Sequence, residues 1–277
     1  MRENKRLDII LVDRGLFSSR EKAKAAIMAG EVLVDGSRVD KAGFLLRCDA
    51  DITVKSKALP YVSRGGLKLA KAIEVFNLDF KGKIVLDIGS STGGFVDCAL
   101  QNGAAKVYAV DVGYGQLAWQ LRQDQRVVVL EKTNARYLTA KEIPESVHII
   151  TVDASFISLA KVLPAALQFL RAQGLLVALI KPQFEAGKDK VGKKGVVKDR
   201  AVHIEVLQNV YTAIKELDLM PLAWDFSPIT GPNGNIEYLL LAQKARHESA
   251  ALLDEAKNSD ILENIKETVT KAWQEHK

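Results

Sequence analysis

The sequence predicts an α/β protein, with a mostly parallel, doubly wound sheet preceded by a small α+β unit. From Ile84 onward, short apolar runs alternate with helix-period patterns, which implies parallel strands joined by crossover helices on both faces. The first of those runs, Ile84–Ile88, passes through Gly89, Gly93 and Gly94 into a helix with Phe95, Val96 and Ala99 on one face. A strand, a glycine turn and a helix N-terminus let backbone N–H groups approach a ligand closely. A third observation sets off the small unit: residues 6 to about 55 carry short helices and strands of their own, ahead of a basic stretch containing Pro60.

Length and composition bound what such a chain can be. At 277 residues, 48% apolar and 26% charged, it can bury one large core or two smaller ones. An excess of 39 basic over 34 acidic residues gives a net charge of +5, which hints at a polyanionic partner. Cys48 and Cys98 are the only cysteines; they form neither a disulfide framework nor a metal-ligand spacing, so no metal is expected. The N-terminus is charged, without an apolar signal core, and no run of about 18 apolar residues exists. A cytoplasmic protein without a membrane segment is the expectation.

In chain order, residues 6–12 read as a first helix, with Leu7, Ile10 and Leu11 apolar and Gly15 ending it. Ser18 or Ser19 can cap a second helix, with Glu21 in its first turn. That helix carries Arg20, Lys22 and Lys24 on one side and Ala23, Ile27 and Met28 on the other, and Gly30 stops it. Val32–Val34 with the Asp35-Gly36 turn, Val39, and residues 51–54 supply short strands. This order resembles the alpha-L RNA-binding motif of the ribosomal protein S-four type. Arg6-Leu7-Asp8, Ser19-Arg20-Glu21-Lys22-Ala23 and Gly30-Glu31-Val32-Leu33-Val34-Asp35-Gly36 carry the resemblance. It implies that Arg6, Arg20 and Lys24 face RNA phosphates, contacts that give affinity without base specificity. Residues 55–65 read as a basic linker, and a helix follows from Leu67 to about Phe76. The expected division is a small unit over 1–58, a linker over 59–66, the sheet-bearing unit over 67–245 and a terminal helical segment over 246–277.

In the large unit, strands are expected at 84–88, 106–111, 126–131, 148–152, 174–180, 222–227 and 237–243, with helices near 94–102, 115–123, 157–171 and 199–216. Residues 228–236, a Pro-Gly-Asn loop, leave no room for a crossover helix, so the last two strands should pair antiparallel. The glycine spacing is Gly-x-x-x-Gly-Gly, not the Gly-x-Gly-x-x-Gly of dinucleotide folds. Asp87, two residues before Gly89, would repel a pyrophosphate but can pair with an ammonium group. Asp111 ends the next strand, where such a fold places the acid that binds a ribose hydroxyl pair. A ligand with an amino-acid end and a ribose end fits both, and S-adenosylmethionine is one. Asp87, Gly89, Ser90, Ser91, Thr92, Gly93, Gly94, Phe95 and Asp111 are its expected contacts, with Asn134 on the adenine side.

Open parallel sheets bind ligands beyond the carboxyl ends of their strands. Asp153 ends the fourth expected strand and Lys181 the fifth; Glu237 opens the reversed seventh at the same edge, and Lys68 lies just ahead of the sheet after a double glycine. Taken singly, these are a helix cap, a snorkelling strand end, a strand-edge charge and a solvated helix residue. In this order, with the glycine loop, they resemble the Lys-Asp-Lys-Glu tetrad of FtsJ-like ribose 2′-O-methyltransferases. With the alpha-L motif in front, residues 6 to about 243 are similar to the hemolysin A (TlyA) family. Ser63-Arg64-Gly65-Gly66-Leu67-Lys68-Leu69, Asp153-Ala154-Ser155-Phe156, Lys181-Pro182-Gln183-Phe184-Glu185 and Lys193-Lys194-Gly195-Val196 carry that similarity.

The resemblance implies a Rossmann-like methyltransferase fold with a seven-stranded, mostly parallel sheet, S-adenosylmethionine as methyl donor, and ribosomal RNA or ribosomal subunits as substrate. It implies no stable protein partner. Lys68, Asp153, Lys181 and Glu237 would be catalytic, with Lys181 the central base, and Arg64, Lys193 and Lys194 would touch RNA. A lysine base needs its proton affinity lowered by burial and a second cation, which Lys181 beside Lys68 would supply. Residues 185–198, with three glycines and five lysines, are expected to form a mobile loop that closes on RNA. Two other readings compete. An RNA-binding protein of another activity, such as a pseudouridine synthase, would have no use for the glycine loop. A cytolysin, as the family name suggests, would have no use for the four charged residues.

Overall fold

The computed structural model describes residues 4–17, 19–28, 30–54, 59–245 and 255–276. Ser18, residues 55–58 of the expected linker and residues 246–254 of the expected terminal segment lie outside the described residues. The chain divides into two compact units, Met1–Pro60 and Tyr61–Lys277.

The small unit runs β1 (Asn4–Arg6), α1 (Leu7–Asp13), α2 (Arg20–Met28), β2 (Val32–Val34), β3 (Ser37–Arg38), β4 (Leu45–Arg47) and β5 (Ile52–Val54). Its core is Leu7, Ile10 and Leu11 of α1 against Ala23, Ala26 and Ile27 of α2, closed by Val32, Val34 and Leu46. β2 is the centre of a three-stranded antiparallel sheet between β3 and β5. β1 and β4 form a separate antiparallel ribbon, which the sequence does not announce because Asn4, Lys5 and Arg6 are all polar and exposed. The strand expected at Val39 is instead Ser37–Arg38, directly after the Asp35-Gly36 turn.

The large unit runs α3 (Gly65–Val75), β6 (Ile84–Ile88), α4 (Gly94–Gln101), β7 (Lys106–Val110), α5 (Trp119–Arg122), β8 (Val127–Leu130), β9 (Val147–Val152), α6 (Leu159–Leu167), β10 (Leu170–Ile180), α7 (Pro182–Glu185), α8 (Arg200–Lys215), β11 (Leu219–Phe226), β12 (Tyr238–Lys244) and α9 (Glu255–Glu275). The seven strands lie in the order β11-β12-β10-β9-β6-β7-β8. All run parallel except β12, which enters antiparallel between β10 and β11. Alternate residues of the buried strands feed two cores. Leu86, Ile88, Tyr108, Val110, Ile150 and Val152 face α6, α8 and α9; Val85, Val107, Ala109, Ile149, Val177 and Leu179 face α3, α4 and α5. The fold is therefore a doubly wound α/β sheet. No helix among the described residues is long and apolar enough to cross a membrane.

Some elements differ from their expected bounds. The helix expected over 115–123 shrinks to one turn, Trp119–Arg122. The chain before it turns on Gly115 in the left-handed region, and the Asp111 carboxylate accepts from the Gly113 amide at 2.7 Å. α6 stops at Leu167, and β10 begins at Leu170 rather than 174, with a register shift before Leu175 and Gln173 at φ 59°.

One approach positions the functional edge. A Cβ on Gly94 would lie 2.4 Å from Ser63 Oγ and 2.7 Å from the Gly66 backbone nitrogen, so the start of α4 and the entry to α3 touch backbone to backbone. Val62 N donates to Asp97 Oδ2 of α4 at 2.8 Å and fastens the same crossing. Lys68 rides on α3 within its first two turns. Gly94→Ala places its methyl against the Ser63 hydroxyl and also against the Gly66 and Gly65 backbone, which cannot swing aside, so it should destabilise the chain by about 2 kcal/mol, the range of overpacking changes. Thermal unfolding should show a melting temperature lower by roughly 4–8 °C; an unchanged Tm would mean that the crossing is looser than described.

Candidate active site

Four charged side chains converge at the carboxyl edge of the sheet. Lys68 comes from α3, Asp153 from the end of β9, Lys181 from the end of β10, and Glu237 from the residue before β12. Because β12 is reversed, its beginning lies at the same edge as the ends of β9 and β10. Lys68 Nζ donates to Glu237 Oε2 at 2.6 Å, and Lys181 Nζ lies 2.7 Å from Asp153 Oδ1. Glu237 is fully buried, and both lysines are more than nine-tenths buried. Each ammonium group has its own carboxylate, Lys68 with Glu237 and Lys181 with Asp153. Burial makes this pairing obligatory, because an unpaired charge in such a place costs several kcal/mol.

The four residues line one cavity of about 320 Å³, with Ser63, Arg64 and the 229–232 turn. A second cavity, about 680 Å³, lies against it and is lined by Asp111, Val112, Asn134, Arg136 and Phe156 among others. Gly89, Ser91, Asp153 and Ser155 border both. Gly89, at φ 84°, belongs here because a Cβ would meet the Asp153 carbonyl at 2.7 Å. Asp111 Oδ2 accepts from Ser91 N and Oδ1 from Gly113 N, both at 2.7 Å; each oxygen keeps a second lone pair. Asn134 caps the short turn after β8 by accepting from Arg136 N at 3.1 Å.

The glycine-loop residues divide between the cavities. Gly89, Ser91, Asp111 and Asn134 line the larger, whereas Ser90, Thr92, Gly94 and Phe95 line only the smaller. Gly93 lines neither and is the N-cap residue of α4. Asp87 lines neither because β6 runs one residue past it, to Ile88, and seals it in the sheet at 1% exposure. Its Oδ1 accepts from Thr151 Oγ1 at 2.6 Å, and its Oδ2 is buried without a hydrogen-bond partner. Burial pushes its carboxyl up to about 7.

The FtsJ-like methyltransferase model matches residues 61–244, and the S4 domain model matches residues 5–52. The chain is 44% identical over 266 residues to the 16S/23S rRNA (cytidine-2′-O)-methyltransferase TlyA of Mycobacterium tuberculosis, covering 95% of this chain and 99% of that protein. This is an FtsJ-like methyltransferase of the hemolysin A (TlyA) family. Hemolysin A of Brachyspira hyodysenteriae is 42% identical over 238 residues, 84% of this chain and 98% of its own. A solved structure from Streptococcus thermophilus, provisionally designated a hemolysin, superposes with a TM-score of 0.74 at 41% identity, over 99% of this chain and 98% of that one.

In this family member the lysine-rich loop is tied down. Asn235, 3% exposed, donates to Gly195 O at 2.9 Å and to Pro232 O at 3.0 Å, and accepts from Val197 N at 3.4 Å. Asn233 donates to Lys194 O at 3.2 Å, and buried His203 holds Val197 O at 3.0 Å and Tyr238 Oη at 2.7 Å. The loop expected to be mobile is thus bound to the turn that walls the smaller cavity. Lys193 and Lys194 are exposed on it, and Arg64 is exposed at the cavity itself. In the small unit Arg6 and Arg20 are exposed at their tips but both donate to buried Asp8, at 2.9 and 3.0 Å. The Arg6 guanidinium is the main cause that holds that carboxyl down at about 2. Lys24 is half-buried on α2. Sequence reasoning missed Ser155, Asn235 and Thr151. Ser155 lies inside the Asp153-Ala154-Ser155-Phe156 stretch without a signal of its own, and the Pro-Gly-Asn loop is the sequence sign of Asn235.

Asp87 has a consequence for ligand-free stability. Its folded value, about 7, lies above the ordinary carboxyl value of 3.8, so between those limits the folded chain holds a proton that the unfolded chain has lost. Stability on this account falls as pH rises from about 4 to about 7. Asp87→Asn, which cannot ionise, should raise the Tm most at pH 8, by less at pH 5, and leave it nearly unchanged only near pH 4. An equal or lower Tm at pH 8 would contradict the buried, desolvated placement.

Proposed function

We propose that this methyltransferase transfers a methyl group from S-adenosylmethionine to a ribose 2′-hydroxyl of ribosomal RNA. The observation that carries the reading is the pair of buried lysine–carboxylate couples, Lys68–Glu237 and Lys181–Asp153, in a cavity that shares a wall with a larger one. The activity for which the relative from Mycobacterium tuberculosis is named agrees with it.

The residues of the larger cavity suit such a donor. Asp111 keeps acceptor capacity for a ribose diol, and Asn134, on the wall of the same cavity, would meet the adenine edge. Buried Asp87 would contribute its charge from below the Gly89 turn rather than by direct contact, and a cationic ligand above it would offset the cost of ionising it. When bound, S-adenosylmethionine supplies an electrophilic methyl group. A ribose hydroxyl is a weak nucleophile, so its oxygen must be held in line and must lose its proton. Lys181 Nζ, in the smaller cavity beside Asp153 and Ser155 that border both, is the atom that would take this proton. Lys68, fastened by Glu237, is the fixed cation near the oxygen as charge develops there. Arg64, Lys193 and Lys194 would hold the RNA backbone around the smaller cavity, and Arg6, Arg20 and Lys24 would bind it from the small unit. Arg6 and Arg20 have a structural duty as well, so their removal would also strand Asp8.

Lys181→Ala should lower methyl transfer at least about 100-fold, the low end for general-base catalysis, while calorimetry finds cofactor affinity unchanged. Lys181→Arg should fail equally, because a guanidinium stays protonated. Near-parental turnover in Lys181→Arg would make Lys181 a positioning cation, and the proton would leave by another route.

A further inference from the structure

The Ser155 side chain reaches the Lys181 ammonium group at the centre of the site. Lys181 Nζ makes two directed hydrogen bonds, to the Asp153 carbonyl oxygen at 3.3 Å and to Ser155 Oγ at 3.0 Å. Asp153 Oδ1 is 2.7 Å away but accepts no directed hydrogen bond, so that contact does not fix the direction of Nζ. In the deprotonated form that acts as base, the amine has two hydrogens and one lone pair; with both hydrogens committed to these two oxygens, the direction of the lone pair is set. One of the two anchors is rigid, since Asp153 N donates to Ile88 O at 2.9 Å and binds the chain to the end of β6. The other is Ser155, an exposed residue on the loop between β9 and α6 that borders both cavities. The next residue, Phe156, holds φ at 63°, a conformation that bulky side chains seldom adopt and that persists only where the surroundings enforce it.

We infer that Ser155 is a positioning residue for Lys181: by accepting one N–H it aims the amine lone pair at the junction of the two cavities, where the ribose hydroxyl meets the methyl donor. The inference rests on the 2′-O-methylation reading and adds to it the group that orients the base. Without the hydroxyl, the single remaining hydrogen bond to the Asp153 carbonyl leaves rotation about the last bond unfixed, and only a fraction of the orientations can accept the proton. Binding of either substrate does not pass through this hydrogen bond, so the loss falls on turnover alone.

The test is steady-state methyl transfer to ribosomal RNA by the full chain, with Ser155→Ala and Ser155→Thr beside the parent. Ser155→Ala should lower kcat about ten-fold, the worth of one such hydrogen bond, with KM for RNA and cofactor affinity within about two-fold of the parent. Ser155→Thr, which keeps the hydroxyl on an exposed position, should recover most of kcat. A Ser155→Ala enzyme with parental kcat, one whose loss appears in KM instead, or a Thr variant as slow as Ala would each overturn the role of Ser155 while leaving the methylation reading in place. A parent that places no methyl group on ribose would overturn that reading and this inference together.

Discussion

Where α3 and α4 cross, two backbones come together with only the Ser63 hydroxyl beside them, Gly94 against Gly65 and Gly66. The rest of the functional edge depends on this approach. It brings Lys68 over the strand ends, where Glu237 receives it at 2.6 Å. Glu237 can be there only because β12 is inserted in reverse, with its first residues beside the ends of β9 and β10. The crossing and the reversed strand thus fix the two partners of the buried couple from independent directions. Neither partner tolerates the other's loss, because a single charge at that depth is uncompensated.

Two couples instead of one shape the chemistry. A lone buried lysine would be held only by water or backbone, and a lone carboxylate would repel an RNA. Paired as Lys68–Glu237 and Lys181–Asp153, the four groups add no net charge to the cavity, so attraction of a polyanion falls to exposed residues such as Arg64, Lys193 and Lys194. Division of labour follows: the buried charges orient, and the exposed ones attract. The tie from Asn235 to the lysine-rich loop joins the two sets mechanically, since the same turn walls the cavity and holds Gly195 and Val197.

Much of this was legible in the sequence because the relevant rule is topological. Ligands meet open parallel sheets at the carboxyl ends of strands, so Asp153, Lys181 and Glu237 could be placed together from strand ends alone. Side-chain burial was not legible. Asp87 looks like a strand-tip acid, yet the sheet extends one residue beyond it and seals it in. The lysine-rich loop looks unrestrained because its own residues are polar and its restraint comes from Asn233, Asn235 and His203, far along the chain. The ribbon of β1 and β4 was invisible for a related reason: a strand of Asn4, Lys5 and Arg6 has no apolar alternation to read. What sequence patterns encode is which face is buried; pairings made by polar side chains across long separations leave little trace.

The central claim is that the methyl group goes to a ribose oxygen rather than to a base. The direct measurement is to incubate the chain with S-adenosylmethionine carrying a deuterated methyl group and with unmodified ribosomal RNA or separated ribosomal subunits. The RNA is then digested to nucleosides, and the label is located by mass spectrometry. The account predicts the label in a 2′-O-methylnucleoside, with the mass excess retained on the sugar fragment. Label on a base fragment, or in no nucleoside while the cofactor is bound, would contradict it.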